Sequence, residues 1–202
     1  MKHALLLVLL AGCRLAPIPA PPPQDPAYAA VLQRWTSAAT MYNNVFEPSA
    51  TVWATYFSMP FRDARVAELT RERALPAAEA DALRLVEQSE NEAGHDFLVA
   101  MNTTDASEND LESSHSIWRV ALSADGGPQT LPQNVERLGR PDAQLRELFP
   151  YAGDFYVAYR VRFPIHFASG ATLIPDDARI LTLHLAGPRG RAELTWDRSR
   201  GR

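Results

Sequence analysis

The nine residues Phe155–Phe163 constrain the fold more than any other stretch of the chain. Phe155, Val157, Tyr159, Val161 and Phe163 alternate with Tyr156, Ala158, Arg160 and Arg162. A period of two describes an extended strand whose successive side chains point to opposite faces. One face is apolar and the other mixed, so the segment belongs in a sheet with at least one face in a core. That core must hold by packing alone, because the single cysteine, Cys13, cannot form an intramolecular disulfide. The length of 202 residues suits one domain with a substantial core.

Strand-like runs recur along the chain. Thr36, Ala38, Thr40 and Tyr42 alternate with Ser37, Ala39 and Met41, and Thr51–Phe57 is rich in β-branched and aromatic residues. Asn43–Asn44 and Glu47–Pro48–Ser49 supply turn chemistry between them, which predicts a hairpin. Phe97–Met101, Ile117–Leu122 and the weaker Val135–Leu138 read as further strands, with Asp125–Gly126–Gly127–Pro128 as a turn. Ile180–Ala186 and Ala192–Trp196 flank Gly187–Pro188–Arg189–Gly190, a second hairpin.

Helical spacing is confined to a few segments. Tyr28, Val31, Leu32 and Trp35 share one helical face behind Asp25–Pro26. Pro60 suits a first helical turn, with Phe61, Ala64, Val66 and Leu69 patterned through about residue 74. Pro76 restarts the pattern, and Ala78, Ala82, Leu85 and Val86 form an amphipathic stripe that Gly94 stops. Leu145, Leu148 and Phe149 suggest one more turn before Pro150. The expectation is a mainly β fold: an antiparallel β-sandwich, immunoglobulin-like in one version, with a helical pair inserted near residues 60–93. The alternative is an α+β fold with helices on one sheet.

The N-terminal residues concern address rather than shape. A basic start, Met1–Lys2–His3, precedes the apolar run Ala4–Leu10, which is shorter than the roughly 20 residues of a membrane span. Leu10–Ala11–Gly12–Cys13 follows: a branched aliphatic residue, two small residues that let a peptidase approach the backbone, then cysteine. All four positions resemble the lipobox of bacterial lipoproteins. The resemblance implies an export leader over residues 1–12, cleaved between Gly12 and Cys13. It also implies a lipidated N-terminus and proline-rich tether over 13–26, and a globular domain over 27–202. The thiol of Cys13 would take a diacylglyceryl group and its amine an acyl chain such as palmitate; no other cofactor is expected. Each buried methylene is worth roughly 0.8 kcal/mol, so two or three chains give lasting membrane attachment. Arg14 leans toward the outer membrane rather than the inner. Prolines 17, 19, 21, 22, 23 and 26 favour an extended polyproline II tether.

Composition narrows the partners. The net charge is −4, and the one lysine, Lys2, falls in the leader. An acidic balance argues against nucleic acid and against a polybasic lipid-binding surface. The expected partners are the membrane, through the anchor, and an envelope protein.

Candidate chemistry is sparse. Between Leu85 and Trp118 acidic residues stand without a lysine or arginine. Asp105, Ser107, Asn109, Asp110 and Glu112 could offer oxygen ligands to a hard cation such as calcium, although no EF-hand pattern is present. Glu92 and His95 have the i, i+3 spacing of paired metal ligands on a helix, without the second copy that di-metal bundles use. Ser113, Ser114, His115 and Ser116 suggest a serine hydrolase, but neighbours on a strand face opposite ways and no Gly-x-Ser-x-Gly elbow exists. His166, His184 and Asp176–Asp177 are scattered, and five arginines from Arg189 onward form a basic tail. No residue is assigned a catalytic role and no metal site is named. The expected function is a non-enzymatic binding, assembly or structural role on the envelope. The alternative is a membrane-anchored periplasmic hydrolase or cation-dependent enzyme using the acidic stretch with His95 or His115.

Overall fold

The structure is a computed structural model and describes residues 24–43 and 47–201. The expected leader, the expected cleavage pair Gly12 and Cys13, most of the expected tether, and Asn44 of the first turn lie outside the described residues.

The chain opens with helix α1, Pro26–Trp35. Asp25 caps it, its Oδ1 accepting from the backbone N–H of Ala27 at 2.7 Å. Tyr28, Leu32 and Trp35 are its buried face, as the spacing predicts. Strands β1 (Thr36–Asn43) and β2 (Glu47–Tyr56) follow and pair as the expected hairpin. Helix α2 (Met59–Glu72) has Pro60 in its first turn and Ser58 as its cap. Helix α3 (Ala77–Ala93) runs to Gly94, which is extended rather than left-handed. A Cβ at Gly94 would sit 2.8 Å from the carbonyl oxygen of Phe163, so close approach of two backbones explains this glycine. The remaining elements are β3 (His95–Thr103), β4 (Arg119–Ala124), β5 (Asn134–Gly139), α4 (Ala143–Leu148), β6 (Val157–Phe163), β7 (Ile180–Gly187) and β8 (Gly190–Asp197).

The eight strands among the described residues form two antiparallel sheets, one ordered β1-β2-β3-β6-β5 and the other β4-β7-β8. Immunoglobulin domains send their third strand to the second sheet. Here β1, β2 and β3 are consecutive neighbours in one sheet, so the connectivity differs from that arrangement. Phe97, Val99 and Met101 of β3 join Tyr159, Val161 and Phe163 of β6 on the inner face, buried against Leu181, Leu183, Leu194 and Trp196. The Phe97 ring meets Phe163 edge-on at 5.7 Å and Trp196 at 5.3 Å. Such pairs add roughly 0.5–1.5 kcal/mol beyond area burial. Along one side β1 runs beside β8, and the Trp196 indole donates to the carbonyl of Trp35 at 2.7 Å.

The other face of the larger sheet is also covered. Thr55, Asp96 and Leu98 point there and are buried beneath α2, α3 and the segment around Phe149. The molecule therefore has three layers: helices, a five-stranded sheet and a three-stranded sheet. It is a β-sandwich-like α+β fold in which both expected arrangements coexist.

Two local expectations are corrected. The stripe Ala78, Ala82, Leu85, Val86 does not face the core: Leu85 is 68% and Val86 55% exposed. Helix α3 instead buries Ala80 and Glu87, because a buried arginine beneath it needs a carboxylate. Phe155 also stands exposed ahead of β6, which begins at Val157.

Candidate functional site

Charge is concentrated on the helix-covered face. Arg62, only 1% exposed, donates from Nε to the Phe57 carbonyl at 3.0 Å. Its terminal nitrogens reach Glu87 at 2.8 Å and Asp96 at 2.7 Å. Asp96, 0% exposed, also accepts from Arg162 at 2.8 Å and Arg160 at 3.1 Å. Glu90 bridges Arg160 and Arg162, and Arg65 pairs with Glu87. Register explains the clustering: Asp96 lies opposite Arg162, and Leu98 opposite Arg160. These bonds tie α2 and α3 to β3 and β6, so the web positions the helices over the sheet.

A second grouping lies at the end of the sandwich where α1, the end of β2, the start of β3 and the residues after β8 converge. A cavity of about 360 Å³ is walled by Trp35, Tyr56, Met59, Ile174, His95 and Arg198. Asn91 and Asp176 also border it. The Tyr56 hydroxyl lies 3.4 Å from His95 Nδ1, while His95 Nε2 is buried with no hydrogen-bond partner. Burial, then the neighbouring Arg198 charge, pulls the His95 pKa down to about 4, so the ring is neutral at pH 7. Burial likewise raises the Tyr56 hydroxyl. Arg198 is held in place by donating to the carbonyls of Pro175 at 2.9 Å and Ala178 at 3.1 Å. It therefore belongs to the fold rather than to a loose basic tail. Sequence spacing could not have found this grouping, since its members come from segments over 160 residues apart; only the apolar–polar mixture around His95 marks it.

The acidic stretch is not assembled as a cation cage. Asp105 caps the short 3-10 turn Ala106–Glu108, accepting from Ser107 N at 2.9 Å and Ser107 Oγ at 2.7 Å. Those bonds hold its carboxyl below the usual range. Asn109 is buried, its amide donating to the Met101 carbonyl at 2.8 Å and its oxygen accepting from the Tyr159 hydroxyl at 2.8 Å. Asp110 accepts from Ser116 Oγ at 2.9 Å, and Glu112 pairs with Arg137 at 3.0 Å. Each oxygen thus serves a separate local contact. Among the described residues no group of three or more His, Cys, Asp or Glu side chains is placed to hold a metal. Glu92 lies in the last turn of α3 while His95 begins β3 beyond Gly94, so they do not share a helix face. His115 is exposed, and its backbone N–H donates to Ser113 Oγ at 3.1 Å.

A different serine–histidine–carboxylate array does form, on the outer face of the smaller sheet. Ser123 Oγ lies 2.9 Å from His184 Nε2, and His184 Nδ1 lies 3.4 Å from Glu193. The order matches a nucleophile, base and orienting acid. Acyl transfer also needs an accessible nucleophile and oxyanion donors. Ser123 is 2% exposed and sits inside the β4–β7 ladder, where its backbone belongs to the sheet. The array is a cross-strand hydrogen-bond chain rather than an open catalytic centre.

Compared with known proteins, the chain matches no family model, no curated protein and no solved structure. Among the described residues no helix is long and apolar enough to cross a membrane.

Proposed function

We propose that this chain is a lipid-anchored protein of the bacterial envelope whose globular domain works by binding or assembly rather than by turnover. One observation carries the reading: Leu10–Ala11–Gly12–Cys13, a complete lipobox behind a basic start and a short apolar run. A diacylglyceryl group and acyl chains on Cys13 would hold the molecule on a bilayer, with the outer membrane favoured by Arg14. The proline-rich tether would then set the domain away from the lipid surface, where an envelope partner can reach it. The test is palmitate labelling with membrane fractionation of wild type and Cys13→Ala. The wild type should take up label and sediment with membranes, and the variant should do neither. Equal labelling and equal sedimentation of the two would remove the proposal.

A second reading, an anchored hydrolase, would require the Ser123–His184–Glu193 array to open, since Ser123 is 2% exposed within the sheet. A fluorophosphonate probe that labels the wild type and spares Ser123→Ala would select it. Absence of label with the fold intact would leave the binding reading in place.

A further inference from the structure

The sandwich has one open strand edge among the described residues. Strand β1, at one end of the five-stranded sheet, runs beside β8 of the other sheet. The outer edge of β4 is met by Thr130, which exchanges two backbone hydrogen bonds with Leu122 at 2.9 Å. Strand β5, at the other end of the larger sheet, pairs only with β6. A strand with one neighbour turns half of its backbone N–H and C=O groups outward, a row ready to pair with another strand. Asn134, Glu136, Arg137 and Leu138 of β5 are exposed. Exposed leucines stand at both ends of this edge, Leu131 at 52% and Leu138 at 44%.

The order of side chains along β5 selects the occupant. Register with β6 places Val135 and Arg137 opposite Val161 and Tyr159, on the inner face, and Asn134 and Glu136 opposite Arg162 and Arg160, on the helix face. Two copies joined antiparallel about a twofold axis normal to the sheet keep those faces, so only residues of one face meet across the seam. An axis at Glu136 would set Glu136 against itself, and an axis at Arg137 would do the same with Arg137; like charges directly opposite are destabilising. An axis at Asn134 would set Glu136 against Pro132 and Arg137 against Leu131. An axis at Val135 sets Val135 against Val135, Asn134 against Glu136 and Gln133 against Arg137. No like charges meet there, and each Leu138 comes to the end of the seam where the other copy's Leu131 stands. The irregularity between Arg137 and Gly139 ends the regular ladder, so the seam is short. We propose that β5 pairs with β5 of a second copy of this chain, antiparallel and centred on Val135, joining the two larger sheets into one. The seam does not involve Cys13, so this proposal and lipid anchoring can fail separately.

The test is sedimentation equilibrium of the full chain from micromolar to near-millimolar concentration, since a single strand pair buries less than a standard interface and self-association should be weak. The wild type should dimerise in that range, and amide exchange in β5 should slow as the dimer forms. Two isosteric substitutions read the register. Gln133→Glu faces Arg137 and should tighten the dimer; Asn134→Asp faces Glu136 and should loosen it. Each acts twice about the axis, so the dissociation constant should move roughly three- to tenfold, in opposite directions for the two variants. Both variants add one negative charge at an exposed position, so a general charge effect, or association through the N-terminal residues, would move them alike or not at all. A wild type that stays monomeric at the highest concentration would overturn the proposal. So would two variants that shift together or leave the dissociation constant unchanged.

Discussion

Replacing His95 by glutamine should flatten the acid side of the stability curve by a defined amount. His95 titrates near 4 in the folded protein and near 6.5 when unfolded, burial being the first cause and Arg198 the second. Because the folded value is depressed, its contribution is complete above the unfolded value. Between pH 6.5 and 4 the unfolded chain takes up a proton that the folded chain refuses, and stability falls with pH. Each unit of difference is worth about 1.4 kcal/mol, so the full effect approaches roughly 3 kcal/mol near pH 4 and about 2 kcal/mol at pH 5. Urea unfolding at pH 7.5, 6.5, 5.5 and 5 measures it. Other groups titrate in this window. Glu72 is raised to about 7, by burial first and then by its bond to Glu68, so its effect on stability runs the opposite way. Glu72 sits near the end of α2 remote from His95, and subtracting the variant's curve from the wild type's cancels it. The difference should grow by about 2 kcal/mol from pH 7.5 to 5. Parallel curves would show that His95 titrates normally, and the account of a ring kept neutral by burial and by Arg198 would fail with it.

Two further outcomes follow from the charged groups elsewhere. Asp96→Asn leaves Arg62, Arg160 and Arg162 without their shared carboxylate, and breaking a buried pair of this kind costs about 3–5 kcal/mol; urea unfolding at pH 7.5 checks it, and a loss within experimental error would show the web to be dispensable. Glu72→Gln should stabilise the protein more at pH 8 than at pH 5. The folded state resists ionising Glu72, so the wild type carries that cost only where the side chain is charged; thermal melts at the two pH values read the difference.

The strands were legible in the sequence because a strand's signal is local. The alternation over β6, the two hairpins and the prolines that open α2 and precede α3 each sit within one segment, and each segment takes the expected form. The stripe on α3 misled for a physical reason. Leu85 and Val86 have the right spacing, but the surface beneath the helix is not apolar: it carries Arg62, Arg160 and Arg162, and it therefore draws in Glu87 and Glu90. Periodicity of apolar residues cannot report a core-facing surface made of ion pairs. The acidic loop misled in a related way. Oxygen-rich composition is shared by cation sites and by capped turns, and here Asp105 caps while Asn109 ties the loop to β3 and β6.

The mixed face of β6 links these observations. In a two-layer sandwich Arg160 and Arg162 would point to solvent, and their alternation with Tyr159 and Val161 reads as inside against outside. With helices over that face, the same two residues instead become the floor of a third layer. Their partner Asp96 directly follows His95, so one strand end presents a carboxylate to the helices and an imidazole to the opposite face, among the residues that line the cavity. Successive side chains on a strand point oppositely, and that geometry separates the two roles. Asp96 fixes the start of β3 rigidly from one side, which holds His95 still on the other. A ring held in this way stays fixed beside the Tyr56 hydroxyl, which lies 3.4 Å from its Nδ1.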